Sequence, residues 1–153
     1  MSKGFSLIEL LLVIAILVVL SSVGIYGYYS YQHKLRVEGD VHRIYLALKN
    51  MQIRAKLEKK LYCAYLQGNK TISINATETS CSYGTTVETI NLHTEFNATN
   101  TPIIVNQLGV FIRLGSFYAV NEPNVTVNCV KASTFRICEG HWDENQKECV
   151  CIY

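Results

Sequence analysis

The strongest constraint on this chain is an apolar run that begins a few residues after its start. Between Phe5 and Val23 the run is broken only by Ser6, Glu9, Ser21 and Ser22, and after Glu9 the next charge is that of Lys34. A helix of about 20 apolar residues spans a hydrocarbon core of about 30 Å. The run therefore predicts a transmembrane helix, which we place at 5–30, with the rest of the chain carried on it.

Glu9 is the unusual residue of this run. A carboxylate inside a membrane segment costs roughly 2.5 to 3.5 kcal/mol on insertion scales, so it needs a partner. The run itself contains no Lys, Arg or His within reach of Glu9. Two interpretations follow: Glu9 pairs with the amino terminus of a neighbouring molecule, freed by cleavage at Gly4, or it lies at the headgroup boundary where water reaches it.

The segment Gly4-Phe5-Ser6-Leu7-Ile8-Glu9, after a short leader with Lys3, resembles the class III signal of type IV pilins and type II secretion pseudopilins. The resemblance implies that residues 1–4 are a leader and that a prepilin peptidase cleaves after Gly4. It further implies that Phe5 becomes the methylated terminus and that Glu9 is the assembly carboxylate. The implied partners are other pilin or pseudopilin subunits, the prepilin peptidase, the inner-membrane assembly platform and the membrane.

Two other interpretations of the amino-terminal segment remain open. A conventional secretory signal has its cleavage site after the apolar region, and 21–24 loosely fits such a site, but Glu9 fits badly within that region. An unprocessed single-span anchor explains the apolar run, yet it leaves Gly4, Phe5 and Glu9 without a role.

A second helical pattern follows the apolar run. Apolar residues recur with alternating spacings of four and three, which is the period of one helix face, at Val37, Val41, Ile44, Leu48, Met51 and Ala55. Three further residues should broaden this stripe, namely Tyr45, Leu57 and Leu61. We therefore predict one helix from Phe5 to about Leu61, of which 31–61 is amphipathic.

Residues 62–153 have the composition of a β-rich head. Short alternating runs predict strands at Thr71–Asn75, Val87–His93, Ile103–Asn106, Val110–Leu114, Phe117–Val120, Val125–Lys131, Thr134–Cys138 and Glu148–Tyr153. The expected fold class is α+β, with a long N-terminal helix, transmembrane and then amphipathic, packed against a pilin-like antiparallel β-sheet head. This order resembles the H-type pseudopilins and related minor pilins.

Six cysteines, all beyond the apolar run, indicate an oxidising compartment where disulfides persist. Lys3 places the leader in the cytoplasm and the head outside it, in the periplasm or at the cell surface.

We prefer a Cys63–Cys81 bridge, with the other four cysteines stapling the terminal hairpin: Cys129, Cys138, Cys149 and Cys151. The alternative is a zinc site of Cys138, His141, Cys149 and Cys151, which we do not adopt because the compartment favours oxidation.

The head offers no convergent acid, base and nucleophile, so we expect no catalytic residues, no enzyme activity and no cofactor. Acidic residues crowd the last loop of the head, at Glu139, Asp143, Glu144 and Glu148, and they fit a solvated loop better than a calcium site.

N-glycosylation patterns begin at Asn69, Asn75, Asn97 and Asn124, although polar turns and strand ends also explain them.

Charge is distributed unevenly along the chain. Residues 34–60 hold eight basic and three acidic side chains, a net of +5, and residues 61–153 hold five and eight, a net of −3. The resemblance of the amino-terminal segment implies a structural subunit of a type II secretion or type IV pilus filament. The alternative is a DNA-binding minor pilin of a competence pilus, which needs a basic patch, and on this acidic head Arg113, Lys131 and Arg136 could cluster on neighbouring strands to form one.

Overall fold

The computed structural model describes residues 6–152, without the side chains of 22–26 and Tyr83. The chain divides into two compact units, Met1–Leu35 and Arg36–Tyr153. One α-helix, α1 (Leu7–Glu58), contributes residues to both units. In the first unit the described residues are helical from Leu7 onward, whereas the second unit contains the carboxyl-terminal part of α1 and all the strands.

The described part of the second unit forms two five-stranded antiparallel sheets. The strands are β1 (Leu61–Gln67), β2 (Thr71–Thr77), β3 (Thr85–Asn91), β4 (Phe96–Ala98), β5 (Ile103–Val105), β6 (Phe111–Arg113), β7 (Gly115–Ala119), β8 (Cys129–Ala132), β9 (Ile137–Asp143) and β10 (Glu148–Cys151). The first sheet has the order β3-β2-β1-β5-β6, and the second has the order β10-β9-β8-β7-β4. The predicted α+β class with an antiparallel head is confirmed.

Both sheets share one core with the helix. The stripe from Val37 to Ala55 is buried, with each of its members at most 1% exposed, and it packs with Tyr62 and Ile72 of the first sheet and Phe117 of the second. The predicted core face of the helix is confirmed. Leu57 does not belong to it: it is 76% exposed, because it follows Ala55 by two residues and thus lies about 200° around the helix.

The helix ends at Glu58, before the predicted end at Leu61. Lys59 has a φ of 54°, a left-handed backbone conformation that commonly terminates helices. The Tyr62 hydroxyl donates to Glu58 Oε2 at 2.7 Å, and Arg54 Nε donates to Glu58 Oε1 at 2.9 Å. Burial and the bond to Glu58 raise the pKa of Tyr62 to about 12. This group joins the last helical turn to β1.

The strand predictions were partly wrong. The strand predicted to start at Val125 starts at Cys129, because the Asn128 side-chain Nδ2 donates to the Glu122 carbonyl at 2.9 Å and closes a loop there. The strand predicted at Thr134 starts at Ile137, because the Ser133 amide donates to the Arg136 carbonyl and forms a turn. Two strands, β1 and β4, were not predicted.

Disulfides hold the head at two places in the described chain. Cys63 pairs with Cys81, the bridge preferred from the sequence, and joins β1 to the short 3-10 helix Cys81–Tyr83. The second place contains Cys129–Cys149 and Cys138–Cys151, with Cα–Cα distances of 6.0 and 5.6 Å. These two bridges staple β8, β9 and β10 together and not the terminal hairpin alone.

Close to these two bridges, the pairing of β9 with β10 requires a glycine at position 140. It lies opposite Cys129 of β8 and Cys151 of β10 in the strand register. A Cβ atom built on Gly140 would overlap the backbone oxygen of Val150, which is not a flexible side chain that can move aside. The tight approach of β10 to β9 at this point therefore depends on glycine.

We expect Gly140→Ala to destabilise the head by about 3 kcal/mol, in the upper range for overpacked sites. Gly39→Ala is the matched control, because no atom lies within 4 Å of its added Cβ. In the interior of α1 it should stabilise the protein by about 0.5 to 1 kcal/mol. Urea unfolding of both variants measures the difference, and equal stabilities would contradict the packing described for Gly140.

Candidate functional site

The first described residues form the start of α1 and place Glu9 in its first turn. The amides of Glu9 and Leu10 donate to the Ser6 carbonyl oxygen at 3.0 and 3.2 Å. A carboxylate at this position is favoured by the partial positive charge of a helix amino terminus. The Glu9 side chain is exposed, and it has no ion-pair partner among residues 6–152.

The side chains that follow Glu9 on the helix are apolar and uncovered. Their exposed fractions lie between 44% and 64% for Leu10, Leu11, Leu12, Val13, Ile14, Ile16, Leu17, Val18, Val19 and Leu20. Contiguous apolar surface of this kind usually marks a region that contacts membrane or another protein. The helix thus presents one carboxylate at the start of an otherwise apolar surface.

Among the described residues, no helix meets the combined length and apolarity needed to cross a membrane. The predicted span of 5–30 includes Phe5 and the side chains of 22–26, which lie outside the described residues. Gly4, the predicted cleavage site, lies outside them as well. Cleavage after Gly4, methylation of Phe5 and the transmembrane assignment therefore stay predictions.

Comparison with known proteins bears on this same segment. Residues 1–25 match the family model of the prokaryotic N-terminal methylation motif. The chain carries a prepilin-type signal. This signal, followed by a helix and an antiparallel β-sheet head, is consistent with a type IV pilin-like protein. No curated protein and no solved structure matches the chain, and the H-type assignment stays a prediction.

The remaining candidate residues lie in the head, where the acidic set does not converge. Asp143 Oδ1 accepts from the amides of Asn145 and Gln146, and Glu148 pairs with Lys131. Glu139 pairs instead with His42 of the helix, with 2.9 Å between Oε1 and Nδ1. In residues 6–152, no three His, Cys, Asp or Glu side chains are grouped to hold a metal ion, and the cysteines of the zinc alternative are in disulfides.

The basic residues of the DNA alternative lie on three different elements. Arg113 lies on β6 in the first sheet, whereas Lys131 lies on β8 in the second and Arg136 lies in the turn before β9. Because Lys131 forms an ion pair with Glu148, its charge is already compensated. One of the three cations is therefore already engaged within the head.

Sequence reasoning missed a buried carboxylate that joins the helix to the loop between β3 and β4. Asp40 is 1% exposed, and its Oδ2 accepts from the His93 amide at 2.7 Å and from the Thr94 amide at 2.9 Å. The Thr94 hydroxyl also donates to Oδ2, and His93 Nδ1 lies 3.0 Å from Oδ1. The available signal was spacing, since Asp40 stands three residues after Val37 and four before Ile44, which puts it beside the apolar face of the helix.

These contacts determine how Asp40 titrates. Burial by itself raises the pKa of Asp40, but the hydrogen bonds from His93 and Thr94 outweigh burial and hold it below the ordinary value of 3.8. A carboxylate with a depressed pKa stabilises the folded state above its unfolded pKa, and that contribution is lost as pH falls through the folded pKa.

We expect Asp40→Asn to lower the free energy of unfolding near neutral pH by about 1 to 3 kcal/mol, because a neutral amide oxygen accepts the bonds from His93 and Thr94 more weakly than the buried carboxylate does. The deficit should shrink as the pH falls below 3.8, where the wild-type carboxylate begins to protonate. Urea unfolding of the full chain over a pH series measures this. Asp143→Asn is the control, because an asparagine there still accepts from both amides; a pH-independent deficit in Asp40→Asn would contradict the assignment.

Proposed function

We propose that this protein is a structural subunit of a filament of the type IV pilus or type II secretion kind. The observation that carries the proposal is the prepilin-type signal at residues 1–25. Support comes from the helix that begins within this signal at Leu7, whose apolar side chains are exposed in the single chain and whose Glu9 is unpaired among the described residues. Such a segment fits a subunit whose helix is covered by lipid before assembly and by other subunits after it.

The first step is processing. A prepilin peptidase removes residues 1–4 on the cytoplasmic side of the inner membrane and methylates the amine of Phe5. A small residue at Gly4 suits cleavage directly after it. The new terminal amine carries a positive charge, which the uncleaved chain does not present at this position.

The second step uses that charge. Glu9 pairs with the Phe5 amine of an adjacent subunit as the subunit joins the filament at the assembly platform. A carboxylate in an apolar environment is costly alone, and a partner of opposite charge offsets much of that cost. The pair therefore favours a subunit that is docked over one that is alone in the membrane.

The third step is helix packing, and the second unit supports it with an apolar stripe of its own. Leu46 and Ile53 are 49% and 53% exposed and stand seven residues apart, and Leu57 follows four residues later. At 100° per residue these three lie about opposite the buried stripe that contains Leu48 and Ala55. The head covers one face of the helix, so this other face is available to neighbouring subunits.

The head is then displayed outside the cytoplasm, in the periplasm or at the cell surface. Its disulfides fit an oxidising compartment. The order of its elements favours an H-type pseudopilin or a related minor subunit over a bulk pilin. We do not adopt the DNA-uptake alternative, because the head has a net charge of −3, from five basic and eight acidic residues, and Lys131 is paired.

The role of Glu9 is testable. We expect Glu9→Ala to insert into the membrane at least as well as the wild type, because a desolvated carboxylate is removed. Incorporation into filaments should fall at least about tenfold, because breaking a buried ion pair costs about 3 to 5 kcal/mol and about 1.4 kcal/mol corresponds to tenfold. Quantifying the protein in sheared-filament and membrane fractions measures both effects.

Ser21→Ala is the matched control in the same apolar run. The Ser21 hydroxyl donates to the Leu17 carbonyl of its own helix, so its loss should leave incorporation unchanged. Leader removal is checked first in every variant by gel mobility. Normal incorporation of processed Glu9→Ala would show that Glu9 is merely hydrated at the headgroup boundary and would contradict the assembly role.

A further inference from the structure

The four Asn-X-Thr patterns of the head occupy different structural settings. Asn69 and Asn124 lie in turns outside the strands, whereas Asn75 lies within β2 and Asn97 within β4. We propose that Asn69 and Asn124 are N-glycosylation sites of the folded head, and that the fold excludes Asn75 and Asn97. The inference needs the head to be outside the cytoplasm but does not need assembly into a filament.

Asn69 is in the turn between β1 and β2, and it is exposed. Its backbone is fixed, because the Phe96 amide donates to the Asn69 carbonyl at 2.7 Å and the Leu92 amide donates to the Lys70 carbonyl at 2.8 Å. Its side chain forms no hydrogen bond within residues 6–152. A rigid turn thus presents an unengaged carboxamide to solvent.

Asn124 is in the loop between β7 and β8, which a buried residue anchors. Val125 is 3% exposed, and its carbonyl oxygen lies 3.2 Å from His141 Nδ1. The residues on either side of it, Asn124 and Thr126, are both exposed. Because Val125 is anchored inward, the acceptor asparagine of this pattern is presented on the outer side of the loop.

Asn75 is in the opposite situation. It is paired with Cys63 of β1 and Thr86 of β3, so its strand is held on both sides. Its Oδ1 is buried and lacks a hydrogen-bond partner among the described residues, and Thr77 is only 8% exposed. A Cβ built on Gly84 would lie 3.1 Å from Asn75 Cβ, which shows how closely the chain covers this side chain.

Asn97 is exposed, but both functional groups of its pattern are engaged. Its Oδ1 accepts from the Ala98 amide at 2.8 Å, and the Thr99 hydroxyl oxygen accepts from the Ser116 amide at 2.9 Å. Residues Asn97 and Ala98 also pair with β7. Both groups of the pattern are thus already hydrogen-bonded within the folded head.

The reaction requires a lipid-linked oligosaccharide pyrophosphate as donor and a membrane-bound oligosaccharyltransferase. The asparagine Nδ2 forms a bond to the anomeric carbon of the oligosaccharide and loses one proton to a base of the transferase. The bond between that carbon and the pyrophosphate oxygen breaks, and its electron pair leaves with the lipid pyrophosphate. No oxidant or reductant is consumed, and the product carries a bulky, solubilising surface group.

Glycopeptide mass spectrometry of the full chain, isolated from the cells that make it, tests the proposal. We expect glycan on the peptides of Asn69 and Asn124 and none on those of Asn75 and Asn97. Asn69→Gln and Asn124→Gln should each remove one glycan from the intact mass, whereas the control variants Asn75→Gln and Asn97→Gln should leave it unchanged. An unmodified Asn69 or Asn124, or a glycan at Asn75 or Asn97, would overturn the proposal.

A second arm tests whether the fold makes the selection. The folded full chain and the same chain after reduction and unfolding are offered to a purified oligosaccharyltransferase with its lipid-linked donor. Unfolding should add modification at Asn75, because the pattern is then released from its strand. Equal modification of Asn75 in the folded and unfolded chains would overturn the structural basis of the inference.

Discussion

The structure depends on which apolar side chains of the long helix α1 are buried by the head and which stay exposed. Apolar side chains on α1 that remain in water cost about 25 cal/mol for each Å² they expose. From Val37 to Ala55 the chain buries one stripe in its own core, but from Leu10 to Leu20 the side chains stay uncovered in the single chain. A chain that leaves this much apolar helix exposed is suited to a surrounding of lipid or of other helices, and the prepilin-type signal identifies the same segment independently.

Several interactions hold the head on the buried stripe of this helix, Val37 to Ala55. Its two sheets enclose the helix residues in one core, and Asp40 fastens the helix to the loop that carries His93. At the end of the helix, Tyr62 and Glu58 link the last turn to the first strand. Disulfides in the second sheet then restrict the unfolded chain, and closing loops of this size stabilises a domain by roughly 2 to 4 kcal/mol.

Some of this architecture was predictable from local pattern, and some was not. The core face of α1 followed from a period of three and four residues, because a helix repeats its environment regularly. Leu57 showed the limit, since one apolar residue near the end of a stripe does not reveal which face it joins. The division into two sheets, and strands such as β4, depend on pairing between distant segments, which no local pattern encodes.

The functional residues likewise divide into those that a sequence pattern reveals and those that only the fold reveals. Glu9 stood out because a carboxylate in an apolar run is expensive, a property that a sequence displays directly. Asp40 did not stand out, because its partners His93 and Thr94 lie more than fifty residues away and only the fold brings them together. The Cys63–Cys81 bridge was preferred from the sequence, whereas the other two pairings follow the order of β8, β9 and β10 in the second sheet, which only the fold reveals.

We propose above all that the mature chain is a processed, filament-forming subunit whose terminus is created by cleavage after Gly4. Mass spectrometry of the amino-terminal peptide from sheared filaments, with and without the prepilin peptidase in the producing cells, tests this most directly. We expect a peptide that begins at Phe5 with a methylated amine, and no such peptide without the peptidase. A mature chain that begins before Gly4, or after the apolar run near Gly24, would contradict it.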